Sequence, residues 1–332
     1  MVEQINSKPL VSCIIIFFNA KKENFFEEAI ESVFAQTYDN WELLLADDGS
    51  SDESTAIALR YVQQYPDKVR YLEHEGHQNR GMSATRNLGI CDAKGEYIAL
   101  LDADDIWLPQ KLEKQVAILE AHPEAGMVYG STLMWFSWTG NPEDAKRDRG
   151  RHLGVKVDTL VNHPTLSKLF LKGKALTPAS CSVLMRKELV KNAGGFEESF
   201  RGMFEDQAFF FKACLKSPVF IESRCWDRYR QHSNSSCHIA DTLGQFRFGK
   251  INPAHFTFLT WVEQYLSQQA IRDAEIWRAL NEALWPYKHK KLFNLLEPYR
   301  QMSHSARKWA KQLLKPIVRQ ILSVPKLTRL KP

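Results

Sequence analysis

Through the first third of the chain, short mostly apolar runs alternate with stretches whose apolar residues recur every three or four positions. Val11 to Phe18 is a continuous run rich in isoleucine, Trp41 to Ala46 a second, Val69 to Leu72 a short third, and Tyr97 to Leu101 a fourth. Mostly apolar runs of this length, bounded by polar residues, predict strands buried on both faces of a parallel sheet. Between them Phe26, Ile30, Val33 and Phe34 keep helical spacing through Gln36, and a second helix is predicted to run to about Gln64. Asn24 with Glu27, and Ser50 with Glu53, have capping-box spacing, which predicts side-chain caps at the start of both helices.

Farther on, Leu112, Val116 and Leu119 mark a helix that Asp105 is placed to cap, and Gly126 to Tyr129 and Ala179 to Met185 read as strands. A short helix to Asn192 then meets a turn at Gly194-Gly195-Phe196. Asn141 to Arg151 is highly charged, holds a Pro and a Gly, and reads as an exposed loop. From about Ala240 the chain changes to aromatic-rich helices, the last with Trp309, Leu313, Ile317 and Ile321 on one face and a kink expected at Pro316. The expectation is an α/β fold: a mostly parallel central sheet with helices on both faces over 1–240, then a helical extension over 241–332.

Charge refines this picture. The formal net charge is +5, but from Pro298 to Pro332 there are nine Lys or Arg and no acid, and taking those nine from 44 leaves 35 basic against 39 acidic residues. The body is therefore mildly negative, which argues against nucleic acid, and the basic tail is suited to an anionic membrane surface or an acidic partner. Six scattered cysteines without a CxxC pair read as reduced thiols, and neither a signal peptide nor a membrane-spanning run is evident. These features predict a cytoplasmic location, with peripheral contact at the inner face of the membrane.

The chemistry concentrates where apolar runs end. Tyr97 to Leu101 runs straight into Asp102-Ala103-Asp104-Asp105, and Trp41 to Ala46 into Asp47-Asp48-Gly49-Ser50. In open α/β sheets ligands bind beyond the carboxyl ends of the strands, so both clusters fall in the expected crevice. Clustered carboxylates repel and call for a cation, with a hard divalent metal as one solution and a solvated turn as the other. Asp47 reads as a turn residue and Asp48 as functional. Arg86, one to two turns into the helix after Gly81, reads either as support for phosphate or carboxylate charge or as an ordinary helix-surface ion pair. Glu205-Asp206, opening an aromatic helix, reads as a partly shielded proton acceptor or as an acidic pair favoured by the helix dipole. His232, in a polar loop, reads by spacing alone as structural or solvated more readily than as a ligand.

Taken in order, Ser12 to Asn19, Asp47 to Asp52, Gly81 to Gly89, Asp102-Ala103-Asp104-Asp105 and Glu205-Asp206 resemble glycosyltransferase family 2 with its GT-A fold, over about Lys8 to Ala240. The resemblance implies a metal-dependent, inverting transfer of one sugar from a nucleotide-diphospho-sugar, by family habit a UDP-sugar, to an acceptor hydroxyl on a glycan or a lipid-linked acceptor. It implies that Asp48, Ile16, Phe17 and Asn19 hold the nucleotide and that Arg86 supports the diphosphate. Asp102 and Asp104 would form the DxD element, with Asp104, Asp102 and His232 around Mn²⁺ or Mg²⁺. Asp206 would be the general base, with Glu205 beside it. The family often has Pro where Ile16 stands, and the Q-x-x-R-W element of processive synthases is absent near Gln231, which favours transfer of a single sugar. An apolar strand ending in Asp-x-Asp also opens the site of haloacid dehalogenase-like phosphohydrolases, a reading that leaves Asp48 idle. A catalytically silent nucleotide-sugar binding module would leave Asp206 without a role.

Overall fold

A computed structural model of the chain describes residues 8–244 and 251–301. The first apolar run forms β1 (Val11–Phe17), and its alternate side chains enter two separate cores. Val11, Cys13, Ile15 and Phe17 pack with α1 (Phe25–Phe34), while Ile14 and Ile16 join the cluster on the opposite face. This two-sided burial is why the run is apolar at every position but Ser12, whose buried hydroxyl donates to Glu42, rather than at every second one.

Strand and helix then alternate through β2 (Trp41–Asp47), α2 (Ser54–Gln64), β3 (Val69–Glu73), α3 (Met82–Asp92) and β4 (Tyr97–Asp102). β3, β2, β1 and β4 lie side by side in parallel. In register, Phe17 at the end of β1 pairs with Asp47, and Ile16 pairs with Asp102. Both acidic clusters therefore flank the carboxyl end of one central strand, where the strand order reverses and a crevice opens.

Beyond β4 the sheet becomes mixed. Next come β5 (Ile106–Trp107), α4 (Lys111–Ala121), β6 (Met127–Trp135), α5 (Pro142–Ala145), β7 (Arg149–Gly150), β8 (Thr159–Val161) and α6 (Thr165–Leu171). They are followed by β9 (Val183–Arg186), α7 (Lys187–Ala193), α8 (Glu205–Lys216) and β10 (Val219–Arg230). β9 is antiparallel to β4 and β6, and β10 runs parallel to β6, giving the order β3-β2-β1-β4-β9-β6-β10-β5 with β7 and β8 as side strands. Phe209 and Phe210 of α8 pack into the core that holds Ile14 and Ile16, so α8 is anchored under the central strands.

Several helix starts differ from the sequence expectation. Asp105 does not cap α4, whose N-cap is Gln110: Ile106 and Trp107 pair with Arg228 and Asp227 first, and this long-range strand delays the helix. Asn24 sits before α1 with φ 60° and makes no capping hydrogen bond. Ser50 does not cap α2 either, because its hydroxyl accepts from Asn19 N–H at 3.0 Å, and Ser54 N–H is taken by Asp52 Oδ1 at 2.9 Å. Asn141 to Arg151 is largely exposed, but it holds α5 and the strand β7.

After β10 come α9 (Ser236–Thr242), α10 (Pro253–Gln268), α11 (Ala274–Lys288) and α12 (Lys290–Gln301). One compact unit comprises residues 1–283, and a second comprises 284–332. In the first unit α10 buries Phe258, Leu259, Val262 and Leu266 on one face. In the second, α12 carries a buried Phe293 and a solvent-facing Leu295. The basic tail and the expected helix with Trp309, Leu313, Pro316, Ile317 and Ile321 lie outside the described residues, as do Phe246 and Phe248. All six cysteines are free, with Cys13, Cys181 and Cys214 buried and Cys91 and Cys237 exposed. Among the described residues no helix is long and apolar enough to cross a membrane.

Candidate functional site

The crevice is built outward from the end of β1. Asp48 N–H donates to Phe17 O at 2.9 Å, which fixes the β2 turn against β1. Asn19, with φ 48°, accepts at its carboxamide oxygen from Ser51 N–H at 2.7 Å, closing the same turn. Asp47 is fully buried and accepts from Ser50 N–H and the Thr55 hydroxyl, which is the turn role its sequence suggested.

Asp48 does more. Its Oδ1 accepts from Arg80 N–H at 2.7 Å and Gly81 N–H at 2.9 Å, and the Thr85 hydroxyl lies 2.9 Å away. The carboxylate thereby satisfies backbone donors at the start of α3, where the helix dipole favours a negative charge. Gly81 has φ 90°, a conformation that side chains resist, so the glycine permits the turn that brings these donors to Asp48.

α3 in turn carries Arg86. Gly89 lies so close to Ile14 that a Cβ there would fall 2.6 Å from Ile14 Cγ2, and this close approach seats α3 on β1. Arg86 is only 2% exposed. Its Nη2 donates to Asp102 Oδ1 at 2.8 Å, and Nη1 lies 3.5 Å from Glu205 Oε1. Burial opposes the guanidinium charge, but the carboxylates of Asp102 and Glu205 outweigh it and raise its pKa. Arg86 is thus a buried bridge between the β4 acids and the α8 acids, and the surface ion-pair alternative does not hold.

The acids differ in environment. Glu205 is buried, and burial together with the Asp206 charge raises its pKa to about 8 despite Arg86. Asp206 keeps part of its surface open, and Gln207 N–H donates to its Oδ1 at 2.7 Å. Burial raises its pKa, opposed by that N–H and by Arg86 and Arg151. Asp104 Oδ2 lies 2.9 Å from His232 Nε2. A carboxylate only accepts, so Nε2 carries the proton, while Nδ1 is buried without a partner among the described residues. Asp105 is fully buried, with Oδ1 accepting from Arg230 N–H at 2.9 Å and Oδ2 without a hydrogen-bond partner among the described residues.

Against this geometry, the family model described as Glycosyl transferase family 2 matches residues 12–192. The chain belongs to that family. An uncharacterized glycosyltransferase of Rickettsia typhi (strain Wilmington) is 30% identical over 239 residues, covering 72% of this chain and 69% of its own. EpsE of Bacillus subtilis (strain 168) is 42% identical over 136 residues, covering 41% of this chain. The chain spans about half the length of the first curated relatives it matches, 47% of EpsE and 43% of an uncharacterized glycosyltransferase of Rickettsia felis. Among solved structures, S. aureus TarS 1-349 in complex with UDP-GlcNAc superposes with a TM-score of 0.60 at 17% identity, covering 90% of this chain and 77% of its own. The mannosyltransferase PcManGT from Pyrobaculum calidifontis in complex with GDP-Man and Mn²⁺ gives 0.50 at 16% identity, covering 96% and 89%. These likenesses agree with the GT-A type of fold, and family membership sets aside the phosphohydrolase reading.

Within the family 2 framework, the residue that sequence reasoning missed is Arg230. Its side chain is 2% exposed; Nε donates to Asp104 O at 2.7 Å, and Nη2 pairs with Glu28. The guanidinium lies 4.0 Å from the Phe25 ring centre and 4.5 Å from that of Trp135. Arg230 therefore locks the backbone of the Asp104 turn and of His232 two residues later. Its signal in the sequence was its place in Tyr229-Arg230-Gln231-His232, beside the histidine already singled out.

The carboxylate oxygens of Asp102 and Asp104 are donors of the kind a hard divalent cation takes. Among the described residues no group of three or more His, Cys, Asp or Glu side chains is placed to hold a metal ion by itself. Mg²⁺-like ions use one or two carboxylates and take the rest of their ligands from phosphate and water. Asp104, with its side chain 30% exposed, is placed for this, while burial and the neighbouring Asp104 and Asp102 push the pKa of Asp105 up and favour its neutral form.

Proposed function

We propose that this family 2 protein transfers a single sugar from a nucleotide-diphospho-sugar, with UDP the favoured carrier, to an acceptor hydroxyl, with inversion and with Mn²⁺ or Mg²⁺. The observation that carries the reading is the buried Arg86 bridge between Asp102 and Glu205, at 2.8 and 3.5 Å. It joins the acids suited to a diphosphate and metal to the pair suited to deprotonating an acceptor. Asp48, Ile16, Phe17 and Asn19 border the nucleotide, and Arg86 offsets diphosphate charge. Asp104, with Asp102 and His232 near it, holds the ion, which when bound neutralises charge on the departing nucleoside diphosphate.

Asp206 takes the proton of the acceptor hydroxyl. Its partial exposure leaves an approach for that hydroxyl, and its raised pKa makes it a better base than a solvated carboxylate. Glu205 is held by Arg86, so one free carboxylate faces the acceptor and no second is left to form a covalent intermediate. This supports single displacement. The ligands of TarS and PcManGT, UDP-GlcNAc and GDP-Man, support the donor class. On this reading residues 1–240 bind donor and acceptor, and 241–332 extend them. The nine Lys and Arg between Pro298 and Pro332 suit contact with an anionic membrane that bears a lipid-linked acceptor, as in cell-surface polysaccharide or glycolipid synthesis.

A thermal-shift panel of UDP- and GDP-sugars with and without Mn²⁺ tests the donor assignment. A true donor raises the melting temperature by mass action, and more so with the ion. No shift with any member overturns the reading. Liposome co-sedimentation unchanged by deleting Ser303 to Pro332 overturns the membrane contact.

A further inference from the structure

The residue that precedes the acidic pair holds a backbone conformation its side chain disfavours. Phe204 has φ 74° and ψ 8°, in the left-handed region, and is 3% exposed. It is the N-cap of α8 without a capping side chain, and Ala208 N–H donates to its carbonyl at 2.9 Å. The twist at Phe204 therefore sets the direction in which Glu205 and Asp206 leave the loop. Such a conformation persists in a bulky residue only where the surroundings over-determine it.

Among the described residues, α10 supplies rings to these surroundings. The ring of Phe204 stacks on His255 (5.5 Å, 18°) and on Phe258 (5.3 Å, 16°). Asn252 caps α10 by accepting from His255 N–H at 2.7 Å, which fixes the first turn that carries this ring. One turn on, Trp261 meets Phe200 edge to face at 5.6 Å, and Phe200 O accepts from the Ser83 hydroxyl of α3 at 3.4 Å. The loop ahead of α8 is thus gripped twice by α10 and tied back to the helix that carries Arg86.

We propose that α10 positions Asp206: His255 and Phe258 hold Phe204 in the left-handed conformation and so aim the first turn of α8 at the acceptor. They are positioning residues, acting through Phe204, and the inference rests on the proposed role of Asp206. On this account α10, which follows the acidic pair by some fifty positions, serves the placement of the catalytic carboxylate.

The full-length protein tests this through Phe258→Ala and His255→Ala, each in the wild-type and the Phe204→Gly background. Glycine adopts φ 74° without side-chain strain and needs no brace. With the donor chosen by the panel, Phe258→Ala lowers kcat, read as nucleoside diphosphate release, about tenfold or more, since small misplacements of a catalytic group carry such losses. The melting-temperature shift given by UDP with Mn²⁺ is unchanged. Whatever level Phe204→Gly sets, adding Phe258→Ala lowers it no further, and His255→Ala behaves in the same way. As a readout independent of turnover, amide exchange in the 204–210 segment rises in Phe258→Ala and gains nothing from it in the Phe204→Gly background. Unchanged kcat and exchange, a parallel loss of the UDP shift, or equal losses in both backgrounds overturns the brace. Asp206→Asn run alongside separates the two claims: retained turnover there overturns the base assignment, and with it the purpose of the brace. An inactive Asp206→Asn with additive losses overturns the brace alone.

Discussion

Arg86 donates to Asp102 at 2.8 Å from a side chain that is almost wholly buried, so the end of β4 is tied to α3 by a charge that water reaches only from the Asp102 side. The same guanidinium faces Glu205, which makes the separation between the two acidic groups of the crevice a property of one residue.

Removing that residue leaves two carboxylates facing each other without a cation. Arg86→Ala is expected to lose about 3–5 kcal/mol, the scale for breaking a buried pair by deleting one partner. Arg86→Lys keeps the charge but offers a single point in place of two nitrogens, and is expected to fold with strongly reduced turnover. Urea unfolding with a turnover assay on both variants checks this; wild-type stability in Arg86→Ala would contradict it.

Glu205 gives the stability a pH dependence. Its pKa rises from 4.5 to about 8 on folding, so the folded chain binds more protons than the unfolded one between those values. Its contribution is fully present below about pH 4.5 and is lost as pH rises through about 8. Glu205→Gln is expected to flatten the decline between pH 5 and 8, leaving the slope in the same direction that the other buried acids, Asp105, Asp206, Glu222 and Asp227, supply. Urea titrations at several pH values read this directly, and an unchanged slope would contradict it.

Arg230 is expected to matter for donor binding without touching the donor. Arg230→Lys cannot donate to Asp104 O, pair with Glu28 and stack on Phe25 and Trp135 together. The turn that presents Asp104 then loosens. The expected outcome is a smaller Mn²⁺-dependent shift with UDP, by about tenfold in affinity on the scale of losses around metal sites. An unchanged shift would detach Arg230 from the site.

Asp48→Asn tests the other end of the crevice. The amide replaces an acceptor with a donor beside Gly81 N–H, which now contacts both carboxylate oxygens. A loss of about 1–2 kcal/mol is expected, as for other helix caps, together with weaker nucleotide binding. Calorimetric titration with UDP, alongside urea unfolding, separates the two effects.

What the sequence made legible was local. The mostly apolar run Val11 to Phe17 announced a strand with two buried faces, and the acids after Ala46 and Leu101 announced the crevice, because each signal sits in consecutive residues. What stayed hidden depended on distant partners. Asp105 lost its capping role because Ile106 and Trp107 pair with residues more than a hundred positions away, and Ser50 lost its own to Asn19. The antiparallel turn of β9 and the partners of Arg230 have no local pattern either. His232 looked solvated by its loop, yet the end of β10 delivers it to Asp104. Phe204 gave no sign of its left-handed backbone, and its ring stacks on His255 and Phe258 of the distant α10.

The central claim is that Asp206 is the base and that its absence spares the donor site. Asp206→Asn should keep the wild-type thermal shift with UDP and Mn²⁺ while nucleoside diphosphate release with donor and acceptor falls by a factor of about 10²–10⁴, the range for losing a general base. Turnover at the wild-type level in that variant, with the shift intact, would contradict the account.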